Sequence, residues 1–280
     1  SDVGGLAGKV AGAFGAGHGS NISGGNPLDQ NVSIDGVIAY VAVNATGNNV
    51  GGIVGNLGAV QIRSCSSHLG VSGGNYVGGI AGSIAWAHGS YLGSWGNINA
   101  TGYIAGGIFG ASTGLGEIRR CYSFGNIKAT GFHSWGGESD IFEEETAFSA
   151  GVVGTGGIVG FWAMANMRGC CSHGDVEGER AGGIIGTGYD NGDIYGCYAR
   201  GDIKGRYAAA SLMGLFYALG VESDPVDRYR LRIGEFYSIS DVSCTYTEGA
   251  GAVVGAKGPV YKDVPGVPKR LYRGSINYAT

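Results

Sequence analysis

The chain has 280 residues and a formal net charge of −4; 59 residues are glycine, 44% are hydrophobic and only 14% are charged. Its basic residues are scattered, which disfavours nucleic acid as a partner because no basic face is available to neutralise phosphates. Disorder is disfavoured too, since the glycines recur in register with valine, isoleucine and leucine. Few charges and many β-branched residues favour an all-β protein.

The first recurring element reads small-Gly-Gly-aliphatic-x-Gly. Its copies occupy residues 3–8, 50–55, 77–82, 105–110, 155–160, 181–186, 209–214 and 250–255. The closest copies lie about 26–28 residues apart, a spacing typical of solenoids. Wider gaps indicate insertions near residues 9–31, 131–150 and 215–232.

A second element lies between these copies and alternates with the period of a β-strand. Residues 118–127 match residues 194–203 position for position. In the second copy one face carries Cys197, Ala199, Gly201 and Ile203, and the other carries Tyr198, Arg200, Asp202 and Lys204. One apolar face and one polar face predict a half-buried strand.

Together the two elements predict an all-β fold, a right-handed parallel β-helix (β-solenoid) with repeats of about 26–28 residues and lateral loop insertions. We expect one solenoid domain over residues 1–258. The proline-rich residues 259–280 are expected to form a C-terminal tail or cap, which either covers its own end or adds a strand to a neighbour.

The glycine-rich element has two apolar faces, and both need to be buried. With strand alternation, Val50 and Val54 would share one face and Ile53 would lie on the other, so neither face is polar. Strands that are apolar on both sides are normally covered on both sides. The sequence therefore predicts that this sheet is covered by the insertions or by a subunit contact.

Both elements resemble the GLUG-motif repeat family, whose Gly-Leu-hydrophobic-Gly unit is followed by a Cys-Tyr-x-x-Gly segment. Residues 121–125 and 197–201 carry the second segment, and the glycine-rich copies carry the first. The resemblance spans roughly residues 3–255. It implies a scaffold of bacterial or archaeal surface proteins, including adhesin-like stalks. The metallopeptidase activity of some members is not implied, because the sequence has no His-Glu-x-x-His.

Four cysteines fall in one inward column, namely Cys65, Cys121, Cys170 and Cys197. A ladder of free core thiols is the leading interpretation. A Cys121–Cys170 or Cys170–Cys197 disulfide stays open as an alternative, because parallel neighbours lie within the required Cα distance. The cysteines lack the paired spacing of zinc sites, and we predict no metal and no cofactor.

Polar residues near the bends offer two further sites. The column Asn97, Asn126, Asp175, Asp202 and Asp241 favours a ladder of side-chain hydrogen bonds over a calcium site. Asn-x-Ser/Thr sequons predict possible N-glycosylation at Asn21, Asn31, Asn44 and Asn99.

Aromatic residues suggest surfaces for binding. Tyr122, Tyr198 and Tyr237 form an outward column, for which stacking between coils is favoured over sugar binding. A row of Trp86, Trp95, Trp135 and Trp162 on one face would indicate a carbohydrate-binding module. The insertion at residues 131–150 is a further candidate binding loop, because Trp135 lies there beside Glu143, Glu144 and Glu145.

Residues 147–167 carry no charge over 21 positions, yet their glycines and their match to the repeat favour a buried strand over a membrane span. We therefore expect no membrane span. The leading interpretation is a secreted, extracellular or cell-surface structural or adhesive protein, not an enzyme, that associates with itself head to tail as an oligomer or filament and contacts host or matrix glycans. The alternatives are a β-helix enzyme that degrades polysaccharides and a carbohydrate-binding adhesin module.

Overall fold

A computed structural model describes residues 2–11, 32–114, 116–131, 153–189, 192–217, 231–245, 249–257 and 276–279. The regular secondary structure of these residues is β-strand, and the strands pair in parallel between successive coils. This confirms the expectation of an all-β fold built from stacked parallel strands. The described part contains no helix with the length and apolar character needed to span a membrane.

Each coil contributes strands to four sheets, which we name A to D. Sheet A receives two strands from most coils and therefore has two columns. The first column contains Val3–Gly4, Val50–Gly51, Val77–Gly78, Ile104–Gly106, Gly154–Gly156 and Ala250–Gly251. The second contains Val43–Asn44, Val71–Gly73, Ile98–Ala100, Ile127–Ala129 and Val242–Cys244. The long strands Val176–Gly182 and Ile203–Ala210 span both columns and join them.

The other three sheets each take one strand per coil. Sheet B contains Ala7–Ala11, Val54–Gly58, Ala81–Ala85, Phe109–Thr113, Val159–Ala163, Ile185–Tyr189, Met213–Tyr217 and Val254–Lys257. Sheet C contains Ser33–Asp35, Gln61–Arg63, His88–Ser90, Gly116–Arg119, Ala165–Arg168, Gly192–Tyr195, Leu231–Gly234 and Ile276–Ala279. Sheet D contains Ile38–Ala39, Ser66–Ser67, Gly93–Ser94, Tyr122–Ser123, Cys171–Ser172, Tyr198–Arg200 and Tyr237–Ile239.

The apolar side chains form two separate core clusters. The larger lies between sheets B, C and D and includes Ile53, Leu57 and Ile62. The smaller lies between the two columns of sheet A and includes Val50 and Val71. Each coil thus has two cores, which explains how a chain with so few charged residues buries its aliphatic side chains.

These two cores bury both apolar faces of the glycine-rich element. Val50 belongs to the smaller cluster, whereas Ile53 and Val54 belong to the larger one, and all three are fully buried. The prediction that Val50 and Val54 share a face is wrong, because the Gly-Gly pair separates two short strands in different sheets. The solenoid itself therefore covers this element, and an insertion or a subunit contact is not needed for it.

A seam of glycine and serine runs between the two cores. A Cβ atom on Gly79 would overlap the Ser94 hydroxyl and the carbonyl oxygen of Gly107 in the next coil. The same overlap occurs at each copy of the seam, in the pairs Gly52 with Ser67, Gly107 with Ser123 and Gly157 with Ser172. Small residues are therefore required on both sides. Ala199 occupies the serine position beside Gly183, which indicates that size matters more than the hydroxyl group.

The corner between sheets C and D requires a left-handed backbone. One residue per coil has φ between 51° and 71° there, and these residues are Gly36, Ser64, Tyr91, Arg120, Gly169, Gly196 and Glu235. Such a conformation costs an L-residue about 1–2 kcal/mol, and glycine avoids that cost. The sharp corner is therefore imposed by stacking, not by the residue type.

The structure also bears on the predicted insertions, the tail and the uncharged window. Strands extend to Ala11 and Tyr217 and begin again at Leu231, so the repeat reaches into the predicted insertions near 9–31 and 215–232. Most of these insertions, the segment 132–152 and residues 258–275 lie outside the described residues. Ile276–Ala279 pairs with Leu231–Gly234 in sheet C, which favours the tail as a cover for its own end. The described part of the window 147–167 forms strands.

We expect Gly79→Ala to lower the free energy of unfolding by about 3 kcal/mol, because the new methyl group overlaps backbone and side-chain atoms that cannot move independently. Chemical denaturation monitored by circular dichroism measures the loss.

Gly36→Ala is the matched control, since no atom lies within 4 Å of its Cβ position and only its φ of 71° opposes the change. A loss of about 1 kcal/mol is expected there. Equal losses at Gly36 and Gly79 would contradict the importance of the seam.

Candidate functional site

The cysteine column lies in the larger core as predicted. Cys65, Cys121, Cys170 and Cys197 are buried free thiols. Each column thiol donates a hydrogen bond to the carbonyl oxygen two residues earlier, at distances of 2.9–3.6 Å. The two disulfides left open by the sequence are therefore not formed.

The buried thiols have low reactivity as nucleophiles. Burial and a hydrogen bond with Cys121 raise the pKa of Cys170 well above its ordinary value, and a hydrogen bond with Cys170 together with burial does the same for Cys197. The outward Cys171 is half-buried, and burial raises its pKa to about 11. Thiolate is the reactive form, so this column favours a structural role over nucleophilic chemistry.

The Asn/Asp column forms a hydrogen-bond ladder. The side-chain oxygen of Asn97 accepts from the backbone N–H of Asn126 at 3.0 Å, Asn126 accepts from Asp175 at 3.0 Å and Asp175 accepts from Asp202 at 2.9 Å. The sequence prediction of a ladder is confirmed for these residues. Each bond connects successive coils, so these oxygens serve stacking.

The outer face of sheet D carries a continuous row of stacked rings, which we call the aromatic stripe. It consists of Tyr40, His68, Trp95, Phe124, His173, Tyr198 and Tyr237. Neighbouring ring centroids are 4.4–5.5 Å apart. The rings are nearly parallel, apart from the edge contact between His173 and Tyr198 at 66°.

Four of the seven rings in the stripe are exposed, and the other three are partly buried. Tyr40 is 68% exposed, Trp95 45%, Phe124 42% and Tyr237 59%. Exposed aliphatic side chains flank it, namely Ile38, Val41, Leu69 and Ile239. Because the ring faces contact one another, the stripe presents ring edges outward, a surface suited to apolar contact with a partner.

The structure contains part of the predicted tyrosine column but not the predicted tryptophan row. Tyr198 stacks on Tyr237, but Cys171 separates Tyr122 from Tyr198 in the same strand position. The tryptophan row does not form, because Trp162 is fully buried whereas Trp95 lies on the outer face of sheet D. Trp135 lies outside the described residues, as do Glu143, Glu144 and Glu145.

A second surface feature is a groove of about 470 Å³ on the outer face of sheet C, lined by Gln61, Arg63, His88, Tyr91, Glu117 and Arg119. The groove dips at Ser90, whose short side chain lies between the longer side chains of Arg63 and Arg119. Arg119 donates two hydrogen bonds to the Glu117 carboxylate, at 2.7 and 2.8 Å. Arg63 donates to Asp35 at 3.2 Å. We call this feature the sheet C groove.

His88 forms part of the groove wall and is held neutral. Burial lowers its pKa, and Arg119 lowers it further, against the opposing effect of Glu117. Its Nε2 atom is buried and makes no hydrogen bond within the described part of the chain. The groove therefore combines cationic guanidinium groups with neutral hydrogen-bonding groups.

The sequons divide between the described and undescribed parts. Asn44 and Asn99 lie on the outer face of the second column of sheet A and are exposed. Asn21 and Asn31 lie outside the described residues. Exposure leaves Asn44 and Asn99 accessible to modification.

Sequence reasoning missed both surfaces. The ring of the stripe follows the column cysteine by three positions in Cys65–His68, Cys121–Phe124 and Cys170–His173, a signal present in the aligned repeats. The groove residues Gln61, His88 and Glu117 precede the buried residue of each sheet C strand. Comparison with known proteins identifies no relative: no family model, no curated protein and no solved structure matches this chain.

Stacking in the stripe should be measurable as a coupling energy. We expect a double-mutant cycle of Trp95→Ala and Phe124→Ala to give a coupling of about 0.5–1.5 kcal/mol in the free energy of unfolding. The pair Trp95→Ala and Tyr237→Ala, whose rings belong to distant coils, should be additive within about 0.5 kcal/mol. Additivity of the first pair would show that stacking contributes nothing.

Protonation of His88 should destabilise the fold in acid. Because the folded-state pKa is lowered, the stabilisation is present above the ordinary pKa of about 6.5 and is lost as the pH falls through it. His88→Gln should therefore lose less stability than the unsubstituted chain between about pH 7.5 and pH 5, as measured by thermal unfolding at each pH. Parallel curves for the two proteins would show that His88 titrates normally.

Proposed function

We propose that this chain is a structural and adhesive β-solenoid, not an enzyme, that acts at a cell surface or in the extracellular space. The observation that carries the proposal is the aromatic stripe. Seven rings lie along one face, and exposed Ile38, Val41, Leu69 and Ile239 extend the apolar surface around them. A surface patch with this many exposed aromatic and aliphatic side chains marks an interaction site.

The scaffold supports an adhesive role because it makes the stripe rigid. The rings are fixed by sheet D, whose strands pair in register from Ile38 to Tyr237. Inside, the seam and the cysteine column hold the coils together. A rigid surface loses little conformational entropy when a partner binds.

The finer description of the fold belongs to the same proposal. We infer right-handed winding, which is nearly universal for parallel crossover connections, and coils of about 26–28 residues. The pairing of Val50 with Val77 and of Val77 with Ala105 supports that coil length. Membership of the GLUG-motif repeat family remains part of the proposal and rests on residues 121–125 and 197–201.

Secretion is supported by two features of the described residues. The sequon residues Asn44 and Asn99 are exposed on sheet A. The column thiols are buried, which limits the access of oxidants to them outside the cell.

Self-association is the second part of the proposal. Within the described part, Ala7–Ala11 and Val254–Lys257 are the outermost strands of sheet B, and each pairs with one neighbour. Edge strands with free backbone groups can accept a further strand from another molecule. Head-to-tail pairing that does not close would generate a filament.

The polysaccharide-degrading enzyme remains the alternative. It would need a general acid and a second carboxylate on one face. Glu117 faces Arg119 and Arg168, at 2.7 and 3.9 Å, and this pairing favours a role in binding or stacking over proton transfer. A carbohydrate-binding adhesin module differs from our proposal only in its partner.

Retention on insoluble cellulose, chitin and mucin-coated beads tests the adhesive role. We expect the chain to be retained on at least one matrix. The amount of the variant Trp95→Ser/Phe124→Ser retained on that matrix should be lower by a factor of about ten or more. Lys128→Gln on sheet A, which leaves the stripe intact, is the control. Tyr237→Ser at the exposed end of the stripe provides a second variant if the double substitution unfolds the chain.

Negative-stain electron microscopy tests self-association. Uniform filaments are expected at micromolar concentration. Dispersed monomers that release soluble sugar from these glycans would overturn the proposal in favour of the enzyme.

A further inference from the structure

The sheet C groove spans three successive coils. Strand register places Ser90 directly between Arg63 and Arg119, so a short side chain lies between two long ones. Since neighbouring strands are about 4.8 Å apart, the two arginine positions are separated by about 10 Å. A small anionic group can enter this gap and meet both guanidinium groups.

The groove lining carries two arginines, Arg63 and Arg119, and one carboxylate, Glu117, in a chain whose net charge is −4. Arg63 and Arg119 point outward with side-chain exposures of 48% and 49%. Their pairs with Asp35 and Glu117 use only part of each guanidinium, which has five N–H donors. Donors therefore remain for a carboxylate or sulfate, the anions that guanidinium binds best.

The remaining wall is rich in neutral hydrogen-bonding groups. The Gln61 amide, the Ser90 hydroxyl and the Tyr91 side chain line it. These groups suit the hydroxyl groups of a sugar. From the two sets together we propose that the sheet C groove binds an anionic saccharide, with its charged group between Arg63 and Arg119.

The arginine column also gives the saccharide a direction. In strand register Arg119 lies next to Arg168 of the following coil. Arg63, Arg119 and Arg168 therefore occupy the same strand position on the same face. A polymer that runs along the solenoid axis would meet a cationic side chain at several coils. We therefore expect affinity to rise with the length of the saccharide.

A saccharide fits the groove better than a single-stranded nucleic acid. Bases bind such surfaces by stacking on open aromatic rings. Tyr91 is 51% exposed, and the guanidinium group of Arg120 lies over one face of its ring, with its carbon 5.4 Å from the ring centroid. The groove thus offers one tyrosine ring, which already contacts an arginine, and several hydrogen-bonding groups.

The groove lies on sheet C and the aromatic stripe on sheet D, so this inference goes beyond the proposed adhesion and can fail independently of it. The stripe variant Trp95→Ser/Phe124→Ser should keep its affinity for an anionic saccharide. Loss of saccharide binding in that variant would mean that the stripe, not the groove, is the site.

Calorimetric titration with four hexamers tests the inference: oligogalacturonate, a heparin fragment, maltohexaose and an oligodeoxynucleotide. We expect binding of one or both anionic saccharides and at least about tenfold weaker binding of the neutral maltohexaose. The variant Arg63→Gln/Arg119→Gln should lose at least about tenfold in affinity. Lys204→Gln, which removes one exposed positive charge from sheet A, should bind normally.

Each outcome decides the matter. Preference for oligogalacturonate identifies a carboxylate site and preference for heparin a sulfate site, while equal binding identifies a general anionic-saccharide site. The inference is overturned if neither anionic saccharide binds at millimolar concentration, if the oligodeoxynucleotide binds as tightly, or if the arginine variant retains full affinity. Circular dichroism of each variant confirms that folding is unchanged.

Discussion

Coil stacking in this protein depends on a contact that tolerates no Cβ atom. Where Gly52, Gly79, Gly107 and Gly157 meet the serine column, the backbone of one coil lies against the next coil and against a serine side chain at once. The two apolar cores, the stripe and the groove all lie on strands whose positions follow from that contact. Surface ion pairs such as Lys128–Glu177 are half exposed and contribute little by comparison.

Much of the fold could be predicted because the second element alternates regularly. The inward column of cysteines, with Leu92 and Phe236 in the same column, packs in the core as its spacing indicates. Backbone amides meet the Asn/Asp column where the bends were expected. Both predictions rest on one physical regularity, the period of two in an extended strand, which residues 197–204 follow closely.

The same regularity failed where the chain is not one straight strand. Val50 and Val54 were assigned to one face because alternation was applied across Gly51 and Gly52, where the chain actually passes from sheet A to sheet B. The stripe was missed for another reason. Its rings change from histidine to tryptophan to phenylalanine, and after His173 they move to a different outward position at Tyr198. No single residue type marks the stripe in the sequence.

The glycine–serine seam also sets how a chain of this kind can change length. Deleting one residue from a strand would turn its side chains to the opposite face and bring a bulky residue opposite a glycine. Adding or removing an entire coil keeps every glycine opposite its serine, and it lengthens or shortens the stripe by one ring. The solenoid can therefore lengthen or shorten only by whole coils. Proteins with this repeat should differ by entire coils or by loops at the corners, and rarely by single residues within strands.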